Sequence, residues 1–412
     1  MKLDADKNPW LGAQSTRKLF AALPDDSARF VGGCVRNALL GEPVADLDIA
    51  TTLEPADVAK MLKQAGFAIH ETGIAHGTLT VVCAGTVFEI TTLRRDVSTD
   101  GRRATVAFTK DWNEDAHRRD FTVNALYADL DGQVYDPTGQ GLADIKTRKI
   151  RFVGDAQTRI EEDYLRILRF FRFAAWYAND QALDKDGLAA CRDLQAGLKT
   201  LSAERVWAEI KKLLSAPYPF RTVNVMLVGG ILETLLPEAS NAEGLQLLCE
   251  LEAKKVLEPD PYLRLMAMSG RDELATARLC KRLKMSNKEK TRLMHWAGDQ
   301  TKLTPDMPEK ETEIALYTAG RQVALDRAVL RAAGAGDKMD AWWHVYNKAK
   351  DWQWPSFPVT GKDLIALGIP HGPQLGKAMQ ALEALWIRSG FSVQKPQLLT
   401  AAKMLFRNLD GT

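Results

Sequence analysis

No apolar run in the sequence approaches the roughly 18 residues that a membrane span needs, so nothing in it reads as a transmembrane segment. Cysteine is scarce. Cys34, Cys83, Cys191, Cys249 and Cys280 are odd in number, widely scattered and free of any CxxC pair. That excludes a disulfide framework and a thiolate zinc site as organising features. The six histidines are also scattered without ligand spacing, so His76 and His117, although near the motifs below, are expected to be structural or surface residues. The first ten residues carry acids and a proline. They lack the apolar core of a signal peptide and the arginine-rich, acid-poor pattern of a transit peptide, and a cytoplasmic location is the expectation. There is no internal repeat and no low-complexity tract.

What is present is ordinary for a globular protein: 46% hydrophobic and 26% charged residues over a 412-residue chain, enough for roughly three domains. The net charge of +2 hides local asymmetry. Arg94, Arg95, Arg102, Arg103, Arg118 and Arg119 crowd one stretch, and Arg159, Arg166, Arg169 and Arg172 follow. By composition alone this is either a solvated charged face or a surface for phosphate and nucleic acid.

Up to about residue 155 short β-rich runs mix with helical ones. Segments 44–50, 78–83, 86–92 and 149–153 read as strands, with Ala84-Gly85 as a hairpin turn. Beyond that the strand signal disappears, and segments 161–177, 202–214 and 272–283 have helical spacing. The expected fold class is an α/β head followed by an all-helical remainder, with polar or proline-bearing breaks near 299–311 and 351–361. Trp342, Trp343, Trp352 and Trp354 are read as core residues, not base-stacking platforms.

The most informative run is Asp46-Leu47-Asp48-Ile49. On a strand, residues i and i+2 share a face, so the two aspartates are co-facial while Leu47 and Ile49 pack behind them. Two carboxylates this close repel unless a cation lies between them, and hard oxygen ligands suit Mg²⁺; alone, the pair equally fits two solvated acids at a strand end. Just upstream, Phe30-Val31-Gly32-Gly33-Cys34-Val35-Arg36 reads as a strand that ends in Gly-Gly and opens into a helix. Glycines there let backbone N–H groups approach phosphate oxygens, and Arg36 lies in the first turn to join them; a structural turn is the other reading. Glu89, alternating with Phe88 and Ile90, either completes a carboxylate triad or is an exposed edge acid.

Gly32-Gly33-Cys34-Val35-Arg36, Asp46-Leu47-Asp48, Arg118-Arg119-Asp120-Phe121-Thr122-Val123-Asn124-Ala125 and Glu162-Asp163-Tyr164-Leu165-Arg166 together resemble the polymerase-beta-like nucleotidyltransferase superfamily. More narrowly, they resemble its class II branch of CCA-adding enzymes and bacterial poly(A) polymerases. Weaker likeness continues through Leu201-Ser202-Ala203-Glu204-Arg205, Leu235-Leu236-Pro237-Glu238 and the stretch from Gly361 to Gly376, so it covers nearly the whole chain. One departure is Asn37, where the family usually has aspartate.

The resemblance implies a head at 1–155, a helical neck at 156–225, a helical body at 226–310 and a tRNA-binding tail at 311–412. It implies two Mg²⁺ ions per site, replaceable by Mn²⁺, held by Asp46 and Asp48 with Glu89 as a further catalytic acid. Gly33, Arg36, Arg118, Arg119 and Asp120 would bind the triphosphate and ribose, with the last three at the start of a helix over 120–126. Asp163 and Arg166, three apart near the start of one helix, would select the base, unless they are only an intrahelical ion pair. Arg169, Arg172, Arg102 and Arg103 would contact nucleotide or RNA. The polar, glycine-containing segment 95–104 would be the flexible loop that helps switch selection from CTP to ATP, unless it is a plain surface loop.

The implied activity is addition of C, C and A to tRNA 3′ ends from CTP and ATP, with the acceptor and TΨC arms bound by the helical part and no membrane involved. A poly(A) polymerase would typically carry a basic Gly-Arg-Arg-Phe segment where this chain reads Gly73-Ile74-Ala75-His76-Gly77-Thr78. An enzyme adding only CC or only A, or a non-catalytic RNA-binding relative, are the remaining alternatives.

Overall fold

The computed structural model describes residues 1–73, 77–100, 103–179 and 183–406. They form two compact units, Met1–Pro237 and Glu238–Thr412.

The first unit opens with strand β1 (Ala28–Val31), the helix Gly33–Leu40 and β2 (Leu47–Thr51). After the helix Pro55–Gln64 come β3 (Ala68–Gly73), β4 (Thr78–Cys83) and β5 (Thr86–Thr92). Strands β6 (Arg94–Asp100) and β7 (Arg103–Phe108) follow, and then the short strands β8 (Tyr127–Ala128) and β9 (Val134–Tyr135). Seven of them form one sheet in the order β3-β4-β5-β2-β1-β8-β9, while β6 and β7 pair only with each other. Within the larger sheet β2 and β5 run parallel and the other pairs antiparallel. The crossover that parallel pairing demands contains the Pro55–Gln64 helix. Phe30, Ile49, Leu79, Phe88 and Ile90 are buried behind the sheet. Each large apolar side chain so buried contributes about 1.5–3 kcal/mol.

Strands 78–83 and 86–92 lie where alternation puts them, and the turn between them has both central residues at positive φ, Ala84 at 48° and Gly85 at 82°, as a two-residue hairpin requires. Three expectations are corrected. Segment 149–153 is not a strand: Ile150 and Phe152 make only isolated bridges, to Leu183 and Phe121. Its apolar residues are used instead in a cluster of rings, where Phe152 stacks on Phe170 at 5.4 Å and meets Phe121 at 5.0 Å. Segment 120–126 is not a helix but a single 3₁₀ turn, Thr122–Asn124, leading into β8. Asp120 accepts from Phe121 N and Asn124 Nδ2, a local side-chain bond that competes with helix propagation. Segment 95–104 is largely the β6–β7 hairpin, not an irregular loop.

After β9 the described residues contain only helices, turns and isolated bridges. In the second unit one core gathers Leu248, Leu251, Leu316, Ala324, Ala328, Trp342 and Val345, with Trp343, Trp352 and Trp354 packed against it. Trp342 is thus a core residue, and the other three tryptophans are partly buried against that core. A second core gathers Val359, Leu364, Ala378, Leu382, Trp386 and Leu398. No helix among the described residues is long and apolar enough to cross a membrane.

Candidate active site

The turn after β1 is made by Gly32, at φ 69°, a conformation that side chains with a Cβ resist. A Cβ on Gly32 would lie 3.7 Å from Arg119 Nη1, and one on Gly33 would lie 3.8 Å from Arg36 Nη2 and 3.9 Å from Asp48 Oδ2. The bare backbone therefore leaves room beside two cations and a carboxylate. Cys34 fastens this turn to the sheet, its thiol donating to Val31 O and Asp48 O. Burial pushes that thiol up to about 11, so it is unreactive.

Asp48 lies on β2 directly beside Glu89 on β5, in parallel register, and Asp46 immediately precedes β2. Asp46 and Glu89 are exposed and Asp48 half-buried. Burial first, then the Glu89 and Asp46 charges, raise the Asp48 carboxyl above its ordinary range, against the pull of Arg119 and Arg36. Glu89 is thus part of the acidic group, not an isolated edge acid. Among the described residues, no three acidic, histidine or cysteine side chains stand close enough to hold an ion unaided. The donors are nevertheless all hard carboxylate oxygens whose mutual repulsion a divalent cation would relieve, so the residues fit such an ion.

The Arg118-Arg119 pair is organised by a residue that sequence reasoning missed. Asp115, 1% exposed, receives Arg118 Nε at 2.9 Å and Nη2 at 2.6 Å on one oxygen. Its other oxygen receives Arg119 Nη2 at 2.7 Å and the Tyr127 hydroxyl at 2.7 Å. Burial alone would raise this carboxyl, but Arg119, Arg118 and the Tyr127 bond hold it far below the usual range. A signal existed: Asp115 stands three and four residues before the arginines, the separation at which helical side chains meet.

Arg36 is 7% exposed and spends its fork inside the protein. It donates to Asn37 Oδ1 at 2.9 and 3.1 Å, to Asn124 Oδ1 and to the Tyr177 hydroxyl at 2.9 Å, with the Tyr177 ring 4.2 Å away. Asn37 accepts those bonds on one oxygen while its amide nitrogen donates to Pro43 O at 2.8 Å. An aspartate could not make that last bond, so the departure from the family pattern ties the helix to the segment approaching Asp46. Asp120 also turns inward, receiving Arg169 Nε at 2.7 Å.

The expected single helix through Asp163 and Arg166 is corrected. The helix Ala156–Glu162 stops at Asp163, which is extended at φ −158°, and a new helix runs Leu165–Tyr177. Asp163 Oδ1 accepts from Leu165 N at 3.1 Å, a local turn that starts the second helix. The two side chains form no ion pair with each other. Asp163 receives Arg205 Nη2 at 2.6 Å. Arg166 gives Nη1 to Glu162 and to Arg159 O.

Arg172 pairs with Glu209 at 3.1 Å. His117 faces Asn113 O, 2.8 Å away, on the surface. Arg102 and His76 lie outside the described residues, and Arg103 is described only as backbone of β7.

Residues 28–151 match the family described as the poly A polymerase head domain. Residues 182–243 match a probable RNA and SrmB binding site of polymerase A, and 261–402 a putative domain 2 of tRNA nucleotidyltransferase. Over 378 residues the chain is 36% identical to the mitochondrial CCA tRNA nucleotidyltransferase 1 of Danio rerio, covering 90% of this chain and 86% of that one. It is 30% identical to the CCA-adding enzyme of Pediococcus pentosaceus, covering 92% and 94%. Its fold is similar to that of the Bacillus stearothermophilus CCA-adding enzyme in complex with CTP, with a TM-score of 0.69, 29% identity and coverage of 100% and 99%.

Proposed function

The chain belongs to the CCA tRNA nucleotidyltransferase family, and from that premise we propose how its own residues add CMP, CMP and AMP to the 3′ end of tRNA. The activity is template-independent nucleotidyl transfer from CTP and ATP with release of pyrophosphate. The relatives and the solved structure described above are named as CCA-adding enzymes, and each aligns over most of this chain.

The observation that carries the site is the register of β2 and β5, which sets Glu89 beside Asp48, with Asp46 immediately before β2. Nucleotidyltransferases of this family use divalent metal ions; we assign two Mg²⁺ ions, replaceable by Mn²⁺, to Asp46 and Asp48, with Glu89 as the neighbouring acid. When bound, such ions lower the cost of the charge that develops between hydroxyl and triphosphate. Arg118 and Arg119 offer fixed positive charge to the triphosphate beside the Gly32-Gly33 turn, and Asp115 keeps their forks oriented. Arg36 supports this from within the fold, as the clamp between Asn37, Asn124 and Tyr177, while Asp120 accepts a ribose hydroxyl bond in competition with Arg169.

For base choice, cytosine and adenine each present an amino donor beside a ring-nitrogen acceptor, whereas guanine and uracil present the opposite order. Asp163 supplies the acceptor and Arg166 the donor. Their separate anchors support this: Arg205 holds Asp163, and Glu162 holds Arg166 through Nη1 alone. The division into head (1–155), neck (156–225), body (226–310) and tail (311–412), with Arg102, Arg103, Arg169 and Arg172 near nucleotide or RNA, completes the reading. The helical domains bind the acceptor and TΨC arms by shape and backbone charge, and the compartment is the cytoplasm.

The deciding experiment incubates the protein with tRNA ending at the discriminator base, at -C and at -CC, with each nucleoside triphosphate separately. Two C additions followed by a single A are expected. A long A ladder would indicate a poly(A) polymerase, and arrest after CC, or A addition only to -CC, a split activity.

A further inference from the structure

The second unit holds a cavity of about 500 Å³ whose wall includes Asn241, Glu243, Arg271, Trp296, Arg327 and Arg331. Its charges do not balance. Arg327, 8% exposed, donates through Nη1 to Asp299 and to Thr301 O at 2.7 Å. Arg271 donates to Trp296 O at 3.0 Å and stands 3.7 Å from the same Asp299 carboxylate. Asp299 is already occupied on its other oxygen by Thr301 N and Oγ1. Arg331 is exposed and has no polar partner among the described residues. Three guanidinium groups thus face two carboxylates, Asp299 and Glu243. Burial, Arg327 and Arg331 all push the Arg271 guanidinium down, with only Asp299 opposing.

A second feature points the same way. The 14-residue helix Ala242–Lys255 begins in this wall, with Asn241 as its cap. A Cβ on Gly244 would come within 2.3 Å of Ala267 O, so the glycine lets the first turn pack tightly at the cavity edge. A helix N-terminus beside clustered arginines favours an anion, and guanidinium forks suit phosphate oxygens.

We propose that this cavity binds a phosphate group of the tRNA backbone, an inference that rests on tRNA being the substrate. A cavity of this size is many times larger than a single small ion and lies within the range of sites that hold substantial ligands. Leu247, Met266 and Leu330 form apolar wall beside the cations, which suits a phosphate carried on a sugar chain better than a bare ion.

The test measures tRNA dissociation constants between about 50 and 200 mM salt for the full-length wild type, Arg331→Gln and Arg271→Gln, alongside their melting temperatures. Arg331→Gln removes a charge with no internal partner, so it should melt like the wild type. Losing one phosphate contact should reduce the log–log salt slope by about 0.7–0.9 and weaken binding about five- to eightfold near 0.1 M salt, with KM for CTP unchanged. Arg271→Gln should do the same. Unchanged affinity and slope in both variants would overturn the proposal. So would a stabilisation of the wild type, but not of Arg331→Gln, by inorganic phosphate at constant ionic strength with an unaltered tRNA slope, because the site would then serve free anions. Failure of the wild type to extend tRNA at all would refute the functional reading instead, and the two failures are separable.

Discussion

Asp115 carries more of the site's organisation than any residue in the recognisable motifs. Its carboxylate joins Arg118, Arg119 and Tyr127 in a buried network, and removing one partner from such a group costs about 3–5 kcal/mol. Asp115→Asn should therefore lower the melting temperature and raise KM for both CTP and ATP about tenfold, more than it lowers kcat; a fall in stability with KM unchanged would mean the arginines do not need this anchor. Because the native carboxyl is held below its unfolded value of about 3.9, its contribution is present above that pH and lost as pH falls through the native value. The stability gap between wild type and Asp115→Asn should be full at neutral pH and close only in strong acid. Asp46→Ala and Asp48→Ala should each abolish nucleotide addition while leaving the circular dichroism spectrum intact, and addition at near the parent rate under Mg²⁺ would refute the assignment. Arg166→Ala should lower CTP and ATP use about tenfold to a hundredfold, the worth of one or two lost bonds at about 1–3 kcal/mol. It should also relax discrimination against UTP and GTP. The readout is kcat/KM for all four nucleotides on tRNA ending in -C and -CC, and a uniform drop without loss of selectivity would leave Arg166 a structural residue.

At the scale of elements, the break between Ala156–Glu162 and Leu165–Tyr177 matters most. A continuous helix would have set Asp163 and Arg166 on one face, free to neutralise each other. The extended Asp163 turns them to different anchors, Arg205 and Glu162, which is the separation of acceptor and donor that the proposed base selection requires. The β6–β7 hairpin carries the segment expected to switch specificity. Replacing residues 97–103 with a short turn should spare both C additions and strongly impair the final A, as scored on a product ladder. Equal loss of C and A would point to general damage of the head. The hairpin itself escaped sequence reading because its polar strands pair only with each other and so carry little of the apolar alternation that marks a half-buried strand.

For the whole molecule, the near-neutral net charge of +2 says little about RNA binding, because cations and anions are segregated: acids at Asp46, Asp48 and Glu89, arginines around Asp115 and around Asp299. Each unit has apolar cores of its own, so residues 1–237 expressed alone should keep a helical circular dichroism spectrum and bind CTP. Their tRNA affinity should fall at least tenfold below that of the full chain, measured at equal salt; undiminished affinity would show that the second unit contributes no contacts.

The sequence alone determined whatever depends on near neighbours. The glycines that permit the turn before the Gly33–Leu40 helix and the change from strand to helical periodicity are local, and the structure bears them out; the strand expected over 44–50 begins only at Leu47, so Asp48 lies on it while Asp46 lies just before it. The family motifs were legible as patterns too, although not the partners of their side chains. Tertiary structure alone decided that Arg36 would be consumed by Asn124 and Tyr177, that Asp120 would meet Arg169, that Arg205 would reach Asp163, and that Glu89 would stand beside Asp48. Those partners are 41 to 141 residues apart in sequence. Neither propensity nor spacing specifies which of several arginines closes on a given carboxylate; that follows from how buried sheet and helix faces pack and which polar groups are left needing a bond.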